Sequence, residues 1–238
     1  MRRFVFLTAL CALAVGPGVA LARHQVLVEL FTAQGCASCT KANALVGSLS
    51  EGGGVVALTW PVDYWDYLGW KDTFARPEFT ERQRQYERRL QLRDVYTPQV
   101  IIDGAAQVSG DKPDGLRALI RKAARSSRFA PDMRFLTQAR LAVGSGQRPK
   151  DGADVWLIRF DSRERDVPVK AGDNRGAVVP HKNTVKQLVR LGRWRGAPVV
   201  FKLPVAEEDG LTALAVVQAV HGGAIIGLLR EPPPADSR

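Results

Sequence analysis

Apolar and polar positions follow two different rhythms along this chain, and the change falls near residue 130. From Val26 to Phe31 the run is apolar, broken by Glu29, as expected of a strand buried on both faces. Ala42, Leu45, Val46 and Leu49 then take helical spacing and predict a helix from about Cys36 to Leu49, stopped by Gly52-Gly53-Gly54. Val55 to Val62 reads as a second buried strand. The strand–helix–strand order makes the two strands parallel neighbours. Thr80-Glu81-Arg82-Gln83 fits a capping box at the start of a charged helix running to about Leu92, with Arg82, Arg84, Arg88 and Arg89 on a solvated face. Thr97-Pro98 leads into the strand Val100-Ile101-Ile102, and Asp103-Gly104 signals a hairpin returning through Ala105 to Val108. A further helix opens with Asp111 as N-cap and Pro113 in its first turn, and buries Leu116, Leu119, Ile120 and Ala123.

Arg125 to Pro131 has the composition of a linker. Beyond it the rhythm shortens to strands, with candidates at Ala139–Val143, Asp154–Phe160, Val167–Lys170, Ala177–Val179, Asn183–Leu191, Val199–Leu203, Leu214–Ala219 and Ile225–Arg230. Val155, Leu157 and Arg159 alternate with Trp156, Ile158 and Phe160, which points to an antiparallel β-sandwich; Leu188, Leu191 and Trp194 belong to its core. The fold class is therefore α/β over residues 23–128, with a helical insertion from about Leu68 to Leu92. A smaller antiparallel β-sandwich-like domain follows over residues 132–230. The proline-rich tail from Glu231 to Pro234 is expected to be disordered.

The first residues change the cellular context. Met1-Arg2-Arg3, an apolar run from Phe4 to Val15 and Ala20-Leu21-Ala22 are the three parts of a secretory signal peptide over residues 1–22. The run is short for a membrane span, and no later stretch is apolar enough to cross a bilayer. The expected location is the periplasm or the extracellular space. Cleavage removes Arg2 and Arg3 and lowers the net charge from +10 to +8. Export and the lack of any nucleic-acid motif argue against a nucleic-acid partner.

Cleavage also removes Cys11 and leaves Cys36 and Cys39, a C-x-x-C pair, as the cysteines of the mature chain. Exported proteins use cysteines mainly for long-range disulfides. A bridge across this spacing closes a tiny loop and adds little chain-entropy stabilisation. A redox role fits the pair better; a structural disulfide or half of an intermolecular metal site are the alternatives. At a strand–helix corner, Cys36 lies near the positive end of the helix dipole, which favours its thiolate, and Cys39 is placed to resolve a mixed disulfide. Glu29 could relay the proton of Cys39; the alternative is a strand-end acid facing solvent. Asp63, Tyr64 and Trp65 leave the C-terminal end of a parallel strand, where α/β proteins place binding loops, and are candidates for the wall of a substrate groove. Trp70 is read as covering the core. Asn174, Arg175, His181 and Asn183 sit in polar, turn-rich sequence and are read as ordinary loop polarity, with an interface to the redox domain as the alternative. Beyond C-x-x-C, the sequence shows no spacing of metal ligands, so no metal or other cofactor is expected.

Residues 26–124 resemble a thioredoxin-fold domain: strand, C-x-x-C helix, strand, helix, Thr-Pro strand, hairpin, helix. Gly35 stands where thioredoxins carry a tryptophan before the first cysteine. Val28-Glu29-Leu30-Phe31-Thr32 with Gly35-Cys36, the stretch Asp63 to Asp72, Val95-Tyr96-Thr97-Pro98-Gln99, Asp173 to Gly176 and His181 to Val185 are similar to a family of secreted bacterial thioredoxin-like proteins of unknown function. The resemblance implies a cis Thr97–Pro98 bond beside the cysteines, with Thr97 and Pro98 holding an extended substrate backbone. The function expected is an exported thiol–disulfide oxidoreductase acting on protein or small-molecule thiols and disulfides. The alternative is a non-catalytic thioredoxin-fold binding module, with the C-x-x-C pair holding metal or locking a loop.

Overall fold

The computed structural model describes residues 25–126 and 130–232. The signal peptide expected over residues 1–22 with Cys11, His24, residues 127–129 of the expected linker and the tail from residue 233 lie outside the described residues. The first half runs β1 (Val26–Thr32), α1 (Cys39–Ser48), β2 (Val55–Pro61), α2 (Pro77–Leu90), β3 (Gln99–Ile102), β4 (Ala106–Ser109) and α3 (Pro113–Ala124). The second half adds β5 (Met133–Thr137), β6 (Arg140–Val143), β7 (Ala153–Asp161), β8 (Arg165–Pro168), β9 (Val178–His181), β10 (Thr184–Trp194), β11 (Val199–Lys202), β12 (Thr212–Ala219) and β13 (Ile225–Arg230).

The protein is a mixed α/β fold with few helices, organised on one large mixed sheet. Eight strands take the order β13-β12-β7-β10-β2-β1-β3-β4. β1 and β2 are parallel, and β3 joins β1 antiparallel. The sheet continues from one half of the chain into the other through a single parallel seam, where Thr184 of β10 pairs with Thr59 of β2. Thr59 fastens that seam three ways: its N–H donates to Asn183 O at 3.0 Å, its hydroxyl donates to Lys182 O at 2.7 Å, and it holds the register position. A separate three-stranded sheet, β11-β6-β5, covers part of the large one, and β8 and β9 form a two-stranded ribbon.

β1 is buried along its whole length because both faces are covered. Val26, Val28 and Leu30 pack with Ala42 and Val46 of α1 and Leu116 of α3. Leu27 and Phe31 face the other way, toward Trp60, Phe79 and Tyr86, and this core continues into Ile158, Phe160, Leu214 and Val216. In the second half, Val155, Leu157, Ala215 and Val217 meet Leu141, Val143 and Phe201 of the small sheet, with Trp194 fully buried among them.

Several local expectations need correction. α1 begins at Cys39 with Ser38 as N-cap, not at Cys36; Cys36 belongs to the turn before it, closed by Cys39 N–H on Cys36 O at 3.1 Å. α2 begins at Pro77, whose missing N–H costs nothing in a first turn, and Thr80 hydrogen-bonds Asp63 instead of capping. Arg82 of α2 is buried, not solvated, because Glu29 lies beneath it. Lys112, not Asp111, is the N-cap of α3. β5 is a strand beyond those expected: Arg134, Leu136 and Thr137 are exposed and blur its alternation, although it pairs with β6. Glu231 is tied down, its N–H donating to Ala213 O at 2.8 Å. The hairpin after β3 is as expected: Asp103 and Gly104 both take positive φ, and Ala105 N–H donates to Ile102 O.

Candidate functional site

The end of β1 and the start of α1 are joined by a loop from Ala33 to Ser38, and this loop places the cysteines. Cys36 and Cys39 are bonded to each other, with their Cα atoms 5.4 Å apart. Ala37 and Ser38, between them, are exposed, whereas Cys36 is 1% and Cys39 0% exposed. The disulfide therefore lies just beneath the surface under a cover supplied by other segments.

One cover comes from the stretch after β2. Asp72 is buried, and its carboxylate accepts from Gln34 N–H at 2.7 Å and from Phe74 and Ala75 N–H at 2.9 and 3.1 Å. Burial pushes its pKa up to about 6, against the pull of those three donors. Gln34 is fully buried, and its side chain accepts from Trp70 Nε1 at 2.9 Å and donates to Thr73 Oγ1 at 2.9 Å. Trp65 lies just under 4 Å from where a Cβ on Gly35 would stand. Tyr64 and Trp65 both pack against the core that contains the two cysteines.

The other cover comes from the second half of the chain. Asn174, between β8 and β9, is buried, and its Nδ2 donates to Gln34 O at 2.9 Å and to Cys36 O at 2.7 Å. A Cβ on Gly172 would stand 3.7 Å from Gly35 Cα, so the two backbones approach closely there. Asn43 of α1 accepts from Thr32 Oγ1 at 2.7 Å and donates to Pro180 O at 2.9 Å, which ties β9 to the helix behind the cysteines. His181 is buried beside this contact, edge-on to Phe74, and burial lowers its pKa to about 4.

The expected site residues divide. Tyr64 meets Thr97: its hydroxyl faces the Thr97 and Gln83 side chains without reaching hydrogen-bond geometry, and burial pushes its pKa up. The Thr97–Pro98 bond is cis, and Pro98 and Ala42 of α1 both crowd Gly110, where a Cβ would stand 2.9 and 2.8 Å from theirs. Pro98 is thus brought to the first turn of α1 across Gly110, Tyr64 to Thr97, and Trp65 to Gly35 beside Cys36. Asp63 is turned away: its carboxylate accepts from Thr80 Oγ1 at 2.6 Å and anchors α2. Glu29 is fully buried rather than facing solvent, and its two oxygens are taken by Arg82 Nε at 2.7 Å and Tyr86 hydroxyl at 2.5 Å, not by the cysteines.

Gln34, Asn43 and Asp72 are site residues that the sequence does not single out, and Trp70, expected as core cover, holds Gln34; of the two readings open for Asn174, loop polarity and an interface with the redox half, its contacts fit the interface. Asp72 and Trp70 carried a visible signal, an acid and an indole in one stretch after a parallel strand. Asn174 carried only its polar, turn-rich setting, which allows an interface but not its partners, since those lie 140 and 138 residues away. Among the described residues no group of three or more His, Cys, Asp or Glu is placed to hold a metal ion.

Sheet and site together define a class: a mixed α/β protein whose C-x-x-C disulfide follows the first strand and is covered by residues from its β-rich half. Within that class, the chain belongs to the family described as a protein of unknown function, DUF1223, whose model matches residues 27–220. It is similar to a protein from Agrobacterium tumefaciens solved by X-ray crystallography, with 32% sequence identity, 89% of this chain and 95% of that one covered, and a TM-score of 0.71. No curated protein matches it.

Proposed function

We propose that residues 26–124 form a thioredoxin-like unit, with the segment around α2 as its helical insertion, and that the protein is an exported thiol–disulfide oxidoreductase. The observation that carries this reading is the cysteine pair itself: a disulfide at a strand–helix corner, one layer below the surface, with Ala37 and Ser38 exposed between its ends. The order of elements from β1 to α3 is that of such a unit. In the reaction, a substrate thiolate attacks Cys36 Sγ, the Cys36–Cys39 bond breaks, and Cys39 leaves as thiolate. A second substrate thiolate attacks the substrate sulfur of the mixed disulfide and releases Cys36. The substrate dithiol loses two electrons and two protons, and the protein pair gains them. The same steps in reverse reduce a substrate disulfide. Thr97, Pro98, Tyr64 and Trp65 line the approach to Cys36.

The burial of both sulfurs favours a second reading, a non-catalytic module in which the disulfide locks the Cys loop. Affinity capture of the Cys39→Ser protein from its native compartment, run on non-reducing gels, separates the two. Adducts at Cys36 that disappear on reduction support the oxidoreductase. Their absence upholds the locked module.

A further inference from the structure

We propose that the protein carries a second site, for a small organic oxyanion with a flat apolar body, between α2 and the outer strands β7, β10 and β12. A cavity of about 620 Å³ opens there, within the usual range of small-molecule pockets. Arg88 and Arg89 line it from α2, and Arg190 from β10. Asp154 is the carboxylate in the lining, and its charge is already met by Arg190 at 2.7 Å and Arg193 at 3.1 Å. Arg88 holds Glu81 at 2.6 Å on the outer, exposed side. Arg89 has no ion-pair partner among the described residues. With these partners counted, Arg88, Arg89, Arg190 and Arg193 stand against two carboxylates, Glu81 and Asp154, so the cavity stays cationic with Arg89 as its unpaired guanidinium, and guanidinium forks suit carboxylate or phosphate oxygens.

The rest of the lining supplies shape and rigidity. Trp156, half-buried, offers an indole to an apolar body. Gln218 is held from behind: its Nε2 donates to Tyr86 hydroxyl at 3.1 Å and Gly223 O at 2.9 Å, and its Oε1 accepts from Arg82 at 3.3 Å. The buried Glu29–Arg82–Tyr86 cluster thus fixes one wall of the cavity. The turn after β12 forms another, since a Cβ on Gly222 would stand 2.9 Å from Gln85 O of α2. This turn sits near the start of β1, because Gly104 approaches Gly223 O and Asp103 O accepts from Ile225 N–H. The disulfide follows the other end of β1, so the proposal stands independently of the redox reading.

The test is calorimetric titration of the full mature chain with 1-naphthyl phosphate, 2-naphthoate and the uncharged 2-naphthalenemethanol. Saturable one-to-one binding is expected for the anions, with the alcohol at least ten-fold weaker. Arg89→Glu, a change at an exposed position, should weaken the anions about ten-fold or more, the loss expected when a charge-assisted hydrogen bond becomes a repulsion. Trp156→Ala should weaken all three probes alike. Binding of the phosphate alone or the carboxylate alone upholds the site and fixes its head group. No saturable binding of either anion, equal binding of the alcohol, or unchanged affinity in Arg89→Glu overturns the proposal.

Discussion

Replacing Asn174 by alanine removes the side chain that bridges the β-rich half of the chain to the Cys loop. Its Nδ2 makes two hydrogen bonds, to Gln34 O at 2.9 Å and Cys36 O at 2.7 Å, both in buried surroundings. Neutral hydrogen bonds contribute about 0.5–1.5 kcal/mol each, so the pair contributes roughly 1–3 kcal/mol to keeping the cover closed. If a reductant reaches the disulfide only when the segment around Gly172 and Asn174 lifts, the open population rises roughly 5- to 150-fold in Asn174→Ala. The assay is the rate at which the oxidised protein is reduced by excess phosphine, quenched by alkylation and read by mass. Urea unfolding of the same variant guards against a global effect, because α1, β1 and their cores are untouched. An unchanged reduction rate in a normally folded Asn174→Ala protein would refute the cover as a gate. A rise that only tracks lost global stability would refute it equally.

Arg82→Met leaves Glu29 buried with Tyr86 as its remaining partner, and should cost about 3–5 kcal/mol in urea unfolding; a loss no larger than that of exposed Arg88→Met would contradict the ion-pair account. His181 is held near pKa 4 by burial, below its ordinary 6.5, so it contributes stability that is present above pH 6.5 and lost as pH falls to about 4, on the order of 3 kcal/mol. Asp72, raised to about 6, works in the opposite sense, its contribution growing as pH falls from about 6 toward 4, so the test is the difference between wild type and His181→Phe at pH 7.5 and 4.5; an equal acid loss in both proteins would exclude His181 as the source. Gly104→Ala places a Cβ 2.5 Å from Gly223 O at a φ of +64°, and should lower stability by about 1–3 kcal/mol; a neutral result would mean the turn after β12 moves freely.

The strands nearest the cysteines were the most legible part of the sequence. Val26 to Phe31 and Val55 to Val62 are apolar because both faces of β1 and β2 are covered, and a pattern of that kind shows in composition alone. The hairpin at Asp103-Gly104 was equally plain, because two successive positive φ values restrict the residues that fit. The exact helix starts were not legible. Pro77 opens α2 without any side-chain cap, and the Thr80 hydroxyl that mimics a capping box serves Asp63. Arg82 misled for a related reason: one arginine among several on a charged helix looks solvated, and only Glu29, 53 residues earlier, shows why it is buried. The same limit applies to the site. Local sequence located the cysteines and the aromatic stretch after β2. The cover over them depends on Asn174 and Gly172; the polar setting of Asn174 allowed an interface, but which backbone it meets appears only when β10 joins β2 and brings the β-rich half alongside.

The reduction potential of the Cys36–Cys39 couple, measured by equilibration with glutathione buffers and alkylation, tests the central claim most directly. A disulfide that exchanges with substrates should sit above about −300 mV, in the range of working oxidoreductases; a structural disulfide lies below it. A value above that mark is expected, with Cys36 the sulfur that carries the glutathione adduct at intermediate ratios. A value well below it, with no adduct at either cysteine, would contradict the oxidoreductase and leave the disulfide as a lock on the Cys loop.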